Sequence, residues 1–134
     1  SPLGLPCNKP PWGVLAAVNL DSGNIVWRKP LGSIEELAPA GVDLDLGTPN
    51  LGGPVVTAGN LTFIAATMDS YIRAFETASG KELWQAKLPA AGQATPMTYE
   101  WEGIQYIAIY AGGNARSGSV LGDYIVAFSL SGSQ

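Results

Sequence analysis

One stretch of this chain is written twice. Residues Ala17-Val18-Asn19-Leu20-Asp21-Ser22-Gly23-Asn24-Ile25-Val26-Trp27 return as Ala74-Phe75-Glu76-Thr77-Ala78-Ser79-Gly80-Lys81-Glu82-Leu83-Trp84, with alanine, serine, glycine and tryptophan at matching places. The offset is about 57 residues, a period that belongs to stacked like units and not to one irregular domain. In each copy, alternating apolar residues flank a polar turn whose glycine suits a positive φ, so each predicts a β-hairpin closed by an indole. A shorter echo relates Tyr71-Ile72-Arg73-Ala74-Phe75 to Tyr124-Ile125-Val126-Ala127-Phe128. No closing tryptophan follows this echo and no strand pair precedes the first copy, so both outer units are expected to be incomplete.

The punctuation between these copies extends the pattern. Residues 14–20 and 24–30 predict a first strand pair, followed over 31–52 by a segment rich in proline, glycine and acid, without a period, which is expected to form a long loop over one face. Four strand signals then crowd together at 53–57, 61–67, 71–77 and 81–86, separated by Ala58-Gly59-Asn60, Met68-Asp69-Ser70 and Ala78-Ser79-Gly80. They predict a four-stranded antiparallel meander. A further group at 93–98, 105–111 and 123–130 starts in the same manner, with Pro54 and Pro96 at equivalent places on the first strand of each sheet. Four-stranded sheets recurring every 40 to 60 or so residues are propeller blades. The expected fold class is therefore all-β, a partial β-propeller of about two blades in a single segment: half a blade over 1–30, the loop over 31–52, a full blade over 53–88, and three strands of another over 89–134. Its end faces would be apolar and bare, so the fragment is expected to self-associate through them.

Composition narrows the chemistry. With 46% hydrophobic and 13% charged residues the chain has material for a real core. A net charge of −4, with its 7 basic residues dispersed, gives no cationic stripe to follow a phosphate backbone, so nucleic acid is not an expected partner. No apolar run is long enough to span a bilayer, and any targeting or anchoring segment is expected to lie outside these residues. Without histidine, a Ser-His-Asp triad or a His-containing zinc site is excluded, and the single Cys7 cannot build a thiolate cluster. Asp43 and Asp45 form a close acidic pair in the long loop; lacking a third ligand signal, they read as solvated.

These residues resemble the pyrroloquinoline quinone (PQQ) dependent dehydrogenases, whose eight-bladed propeller is tied together by a tryptophan-docking motif of the form Ala-x-Asp-x-x-Thr-Gly-x-x-x-Trp. Ala17, Gly23 and Trp27 fit it, as do Ala74, Gly80 and Trp84; Asn19 and Glu76 stand at the Asp place, and Ser22 and Ser79 at the Thr place. Both changes keep a polar side chain able to bond the turn. The stretches Cys7-x-x-Pro10-Pro11-Trp12-Gly13, Gly47-Thr48-Pro49-Asn50-Leu51-Gly52-Gly53-Pro54, Ala94-Thr95-Pro96-Met97-Thr98-Tyr99-Glu100 and Gly122-Asp123-Tyr124-Ile125-Val126-Ala127-Phe128 resemble the C-terminal end of the membrane-associated glucose and quinate dehydrogenase branch. The resemblance implies a periplasmic, membrane-associated enzyme that oxidises a sugar, polyol or cyclic hydroxy acid at PQQ and passes electrons to ubiquinone. It also implies a divalent cation such as calcium or magnesium, held by residues outside this chain.

The same resemblance locates the candidate site. The family's general base, an aspartate, and a lysine that contacts the quinone come from preceding blades, so no catalytic residue is expected here and the isolated fragment is expected to be inactive. In alcohol-oxidising relatives, one tryptophan near a Gly-Gly pair leading into a blade and another just after a late Gly-Gly pair lie beside PQQ. Leu51 and Asn114 occupy those places here, and the second is commonly histidine in the sugar-oxidising branch. An asparagine amide can still hydrogen-bond a quinone carbonyl or carboxylate but cannot act as a cation. The resemblance thus makes Asn50, Leu51, Gly113 and Asn114 the cofactor-binding candidates, while the plainer reading is that the glycines only permit tight turns. Trp27 and Trp84 are expected to dock between blades, Trp12 to lie in the core, and Trp101, in a turn, to be exposed. A rival from another class is a non-enzymatic propeller scaffold of the outer-membrane assembly type. Such blades share the docking motif but lack the Gly-Thr-Pro-Asn and Ala-Gly-Gly-Asn loops.

Overall fold

The computed structural model describes residues 6–34 and 46–129. Among them the regular elements are strands: β1 (Val14–Val18), β2 (Ile25–Pro30), β3 (Val55–Val56), β4 (Leu61–Ile64), β5 (Tyr71–Glu76), β6 (Glu82–Lys87), β7 (Met97–Trp101), β8 (Ile104–Ala111) and β9 (Tyr124–Ser129). They form a two-stranded, a four-stranded and a three-stranded sheet, each a simple meander of antiparallel neighbours. The chain is all-β, as the alternating apolar pattern requires.

The repeated hairpins are alike in detail. Each carries a register shift at the same point, between Ala17 and Val18 in the first and between Ala74 and Phe75 in the second. In the first turn the Asn19 Oδ1 accepts the Ser22 N–H at 2.8 Å, and Gly23 N–H reaches the Asn19 carbonyl at 2.8 Å. In the second, Ser79 Oγ donates to the Glu76 carboxylate and Gly80 N–H reaches the Glu76 carbonyl at 2.8 Å. Both glycines sit at φ 71°, where a side chain is disfavoured.

The middle sheet is sandwiched. On one side Leu15, Leu31, Ile64, Ala66 and Phe75 bury together with Trp27 packed against them. On the other, Ala65, Ile72, Leu88, Ala90, Ile107, Ile109 and Ala111 form a second core against the third sheet. The central strand β5 is therefore buried on both faces, while β2, β6 and β7 carry mostly exposed or half-exposed residues.

Some strand limits differ from the sequence expectation. The segment 53–57 pairs only over Val55–Val56, and the third sheet starts at Met97 instead of residue 93. The reason is visible in the backbone: Gly53 N–H is taken by the Thr95 side chain at 3.0 Å, so both stretches leading into the sheets bond to one another before pairing begins. Trp12 is half-buried, not a core residue. Its backbone N–H bonds to Leu46 O at 2.9 Å and its indole N–H to Asn8 O at 2.8 Å, which holds it in the strap ahead of β1. Trp101 is 65% exposed. Asp43 and Asp45 lie outside the described residues.

Candidate functional site

Up-and-down strand order sorts the connections into two sets. The tight turns β1–β2, β3–β4, β5–β6 and β7–β8 fall at one end of the sheets, and the connections β2–β3, β4–β5, β6–β7 and β8–β9 gather at the other. Asn50, Leu51, Gly113 and Asn114 all lie at this second end, on the β2–β3 and β8–β9 connections.

Backbone hydrogen bonds link the two pairs in short steps. Leu51 N–H reaches Ala66 O at 2.8 Å, Ala66 N–H reaches Gly92 O at 2.8 Å, and Gly113 N–H reaches Ala91 O at 2.9 Å. Ala65, Ala66, Ala90 and Ala91 are fully buried, and their small side chains let the three segments approach this closely. Ala66 is held at φ 59°, a conformation that costs an L-residue about 1–2 kcal/mol. Its N–H and C=O are both engaged across segments, which keeps it there. Strain of this sort concentrates where surrounding structure fixes a site.

Each candidate residue has a distinct setting. The Asn50 side chain lies against the Gly13 backbone, and its Nδ2 and Oδ1 are buried without a hydrogen-bond partner. Buried amides are nearly always paired, so this side chain stands out among the described residues. Leu51 is 45% exposed. Gly113 is at φ 65°, and a Cβ there would stand 2.0 Å from the Val120 carbonyl oxygen, so no other residue fits. Asn114 is half-buried; its Oδ1 accepts the Arg116 N–H at 2.9 Å, which leaves the Nδ2 hydrogens to donate.

The anchor beneath this end was not visible in the sequence. Asp69, in the β4–β5 connection, accepts the Ser33 N–H at 2.7 Å and the Tyr71 N–H at 3.2 Å, and pairs with the Arg73 guanidinium at 2.6 Å. Arg73 in turn faces Tyr71 and Glu82. Burial by itself would raise the Asp69 pKa. Arg73, through hydrogen bond and charge, with the Thr67 hydroxyl and the Ser33 N–H, outweighs that and holds it below the ordinary 3.8. Met68 N–H also reaches the Thr48 hydroxyl at 3.3 Å, so the same turn holds both the start and the finish of the long β2–β3 connection. An aspartate flanked by Thr67 and Ser70 in a predicted turn was the available signal.

The docking tryptophans lie toward the opposite end. The Trp27 indole N–H donates to Thr77 O at 2.9 Å, and the ring covers Gly80, where a Cβ would lie 2.7 Å away. The first sheet's tryptophan thus lands on the second sheet's repeated turn. Trp84 meets Phe128 of the third sheet edge-on at 5.1 Å and borders an apolar cavity of about 510 Å³ shared with Leu61, Phe63, Leu83 and Ile107.

Comparison with known proteins decides the family. Residues 1–107 match the PQQ glucose/ethanol/alcohol dehydrogenase β-propeller domain. The chain belongs to this family. It is 51% identical over 133 residues to quinoprotein glucose dehydrogenase A of Acinetobacter calcoaceticus, and 50% identical over 134 residues to quinoprotein glucose dehydrogenase of Escherichia coli strain K12. It is 45% identical over 136 residues to the quinate/shikimate dehydrogenase (quinone) of Acinetobacter baylyi. Each comparison covers 97% of this chain but 17% of the relative, so the chain spans about a sixth of their length. Among solved structures a europium-containing methanol dehydrogenase superposes with a TM-score of 0.66 at 24% identity, over 87% of this chain and 23% of that one. That likeness supports the propeller fold. Three antiparallel sheets in series accord with part of such a wheel.

Proposed function

We propose that this chain is the C-terminal part of a longer periplasmic PQQ-dependent dehydrogenase, membrane-associated through segments elsewhere. In that reading residues 1–30 are half a blade, 31–52 the loop, 53–88 a full blade and 89–134 three strands of a further one. The enzyme oxidises a sugar, polyol or cyclic hydroxy acid of the glucose or quinate type and passes the electrons to ubiquinone. The observation that carries this is the identity of 45–51% with glucose and quinate dehydrogenases across 97% of the chain.

The residues fit a quinone at the loop end. Asn114 offers an amide donor that matches the carbonyl and carboxylate oxygens of PQQ, and the Asn50 Nδ2, buried and without a partner among the described residues, could donate to the same kind of oxygen, whereas its Oδ1 could only accept. Leu51 supplies an exposed apolar surface for a flat ring, and Gly113 allows its loop to pass close by. When bound, the quinone supplies the two-electron oxidant for turning a hydroxyl into a carbonyl. This chain's share is to orient the cofactor and exclude water around it. In this reading the general base and the divalent cation are supplied by other blades.

The test is PQQ titration and dye-linked oxidation of glucose and quinate by the full-length protein. Turnover of either with bound PQQ supports the enzyme; turnover of neither without PQQ binding favours the scaffold. Expressed alone, the 134-residue chain is expected to show no turnover. It is also expected to self-associate, because Ile25, Met97, Trp101 and Ile125 on the end sheets are 58–80% exposed. A concentration-independent monomer in sedimentation would contradict that expectation.

A further inference from the structure

We infer that Ser119 is a positioning residue for Asn114, and that Gln93 ties this pair to the neighbouring segment 50–53; the inference rests on the reading of Asn114 as a quinone contact. Ser119 is polar yet only 8% exposed. Its Oγ accepts the Asn114 N–H at 2.8 Å and donates toward the Asn114 carbonyl at 3.3 Å, so one hydroxyl grips both backbone groups of that residue. The Ser117 hydroxyl donates to the same carbonyl at 2.9 Å and lies 3.2 Å from Ser119 Oγ. Fixing the N–H and C=O of residue 114 fixes its φ and ψ, hence the direction of its Cβ. The bond from Arg116 N–H to Asn114 Oδ1 at 2.9 Å then sets the amide plane. What remains is a donor held in one orientation, suited to an oxygen acceptor on a rigid ligand.

Gln93 joins this loop to the other candidate segment. Its Nε2 donates to Ser117 Oγ at 3.4 Å. Its carbonyl oxygen lies 3.1 Å from where a Gly52 Cβ would stand, and two residues later Thr95 takes the Gly53 N–H. A single short stretch therefore touches both loops, and displacing it moves Asn50 and Asn114 relative to each other.

The experiment is a double-mutant cycle in the full-length apoenzyme, titrated with PQQ and followed by tryptophan fluorescence, with thermal midpoints recorded beside it. Ser119→Ala and Asn114→Ala are each expected to raise the PQQ Kd roughly fivefold, the size of one lost hydrogen bond. The double variant is expected to bind no more weakly than Asn114→Ala alone, and the apoprotein midpoints to stay within about 2 °C of the parent. A normal Kd for Ser119→Ala with a raised one for Asn114→Ala overturns the positioning role, as does full additivity. A normal Kd for Asn114→Ala overturns the cofactor reading and the inference with it. Should Ser119→Ala fail to fold, Gln93→Leu paired with Asn114→Ala runs the same cycle and decides by the same outcomes.

Discussion

Trp27 and Trp84 close the same repeated hairpin, yet among the described residues only one has a seat. Trp27 reaches Thr77 O and covers Gly80, and it belongs to a core with Leu15, Leu31 and Phe75. Trp84 is 38% exposed, touches Phe128 by an edge, and borders a cavity. The difference is the receiving turn. For Trp27 that turn is the next copy of the motif; for Trp84 its equivalent would follow Ser129, outside the described residues. Docking is thus a property of two consecutive units, one giving the indole and the other the glycine, and neither unit is complete alone.

The sharpest test is to truncate both rings. Trp27→Ala is expected to lower stability to urea by about 3–5 kcal/mol, and Trp84→Ala by about 1–2 kcal/mol, because only the first removes a ring packed on both sides. Equal losses would erase the comparison. Next comes the ion pair that fastens the first interface from its other end, since Asp69 receives Ser33 from the strap after β2. Its folded pKa is below 3.8, so its contribution is complete above that pH and fades as pH falls through the folded value. Asp69→Asn is expected to cost about 3 kcal/mol at neutral pH by leaving the buried Arg73 only the more distant Glu82 carboxylate, and to flatten the acid side of the stability profile. An unchanged acid limb would remove Asp69 from this role.

Gly80 and Gly23 form a finer pair, since both sit at φ 71° but only Gly80 has a ring above it. Alanine at Gly23 is expected to cost about 1 kcal/mol from backbone strain, and at Gly80 about 1–2 kcal/mol more from the collision with Trp27. In the Trp27→Ala background the excess should vanish. The smallest effect belongs to the β7–β8 turn, where Glu102 is at φ 51° and Gly103 at φ 76°. Glu102→Asn should gain a few tenths of a kcal/mol in chemical denaturation while leaving the surroundings of Trp27 and Trp84 unchanged.

How much of this was legible follows from the range of each interaction. The hairpins and their turns were readable because each rests on residues close in sequence, repeated twice; the docking role of Trp27, whose seat on Thr77 lies 50 residues away, was readable through the family resemblance. Strand limits near Gly53 and Gln93 were not, since the bond between Gly53 and Thr95 spans two sheets and diverts both segments from pairing. Asn50, Leu51, Gly113 and Asn114 were reachable only by resemblance; spacing alone gave no hint that Ala66 and Ala91 would stitch them together. The positive φ of Ala66 carries no sequence mark at all, because an alanine within the apolar run 61–67 reads as a continuation of that strand. Ser119 was passed over for a similar reason: a serine in a glycine-rich loop looks solvated until its burial is known.

Placing every tight turn at one rim and every long connection at the other has an evolutionary corollary. The Trp27 seat lies on the tight-turn rim, so changes confined to the tips of the long connections leave it in place, and such a wheel can change what it grips without loosening its spokes. Relatives as different in named substrate as glucose and quinate dehydrogenases can then be variations in one rim over a shared hub.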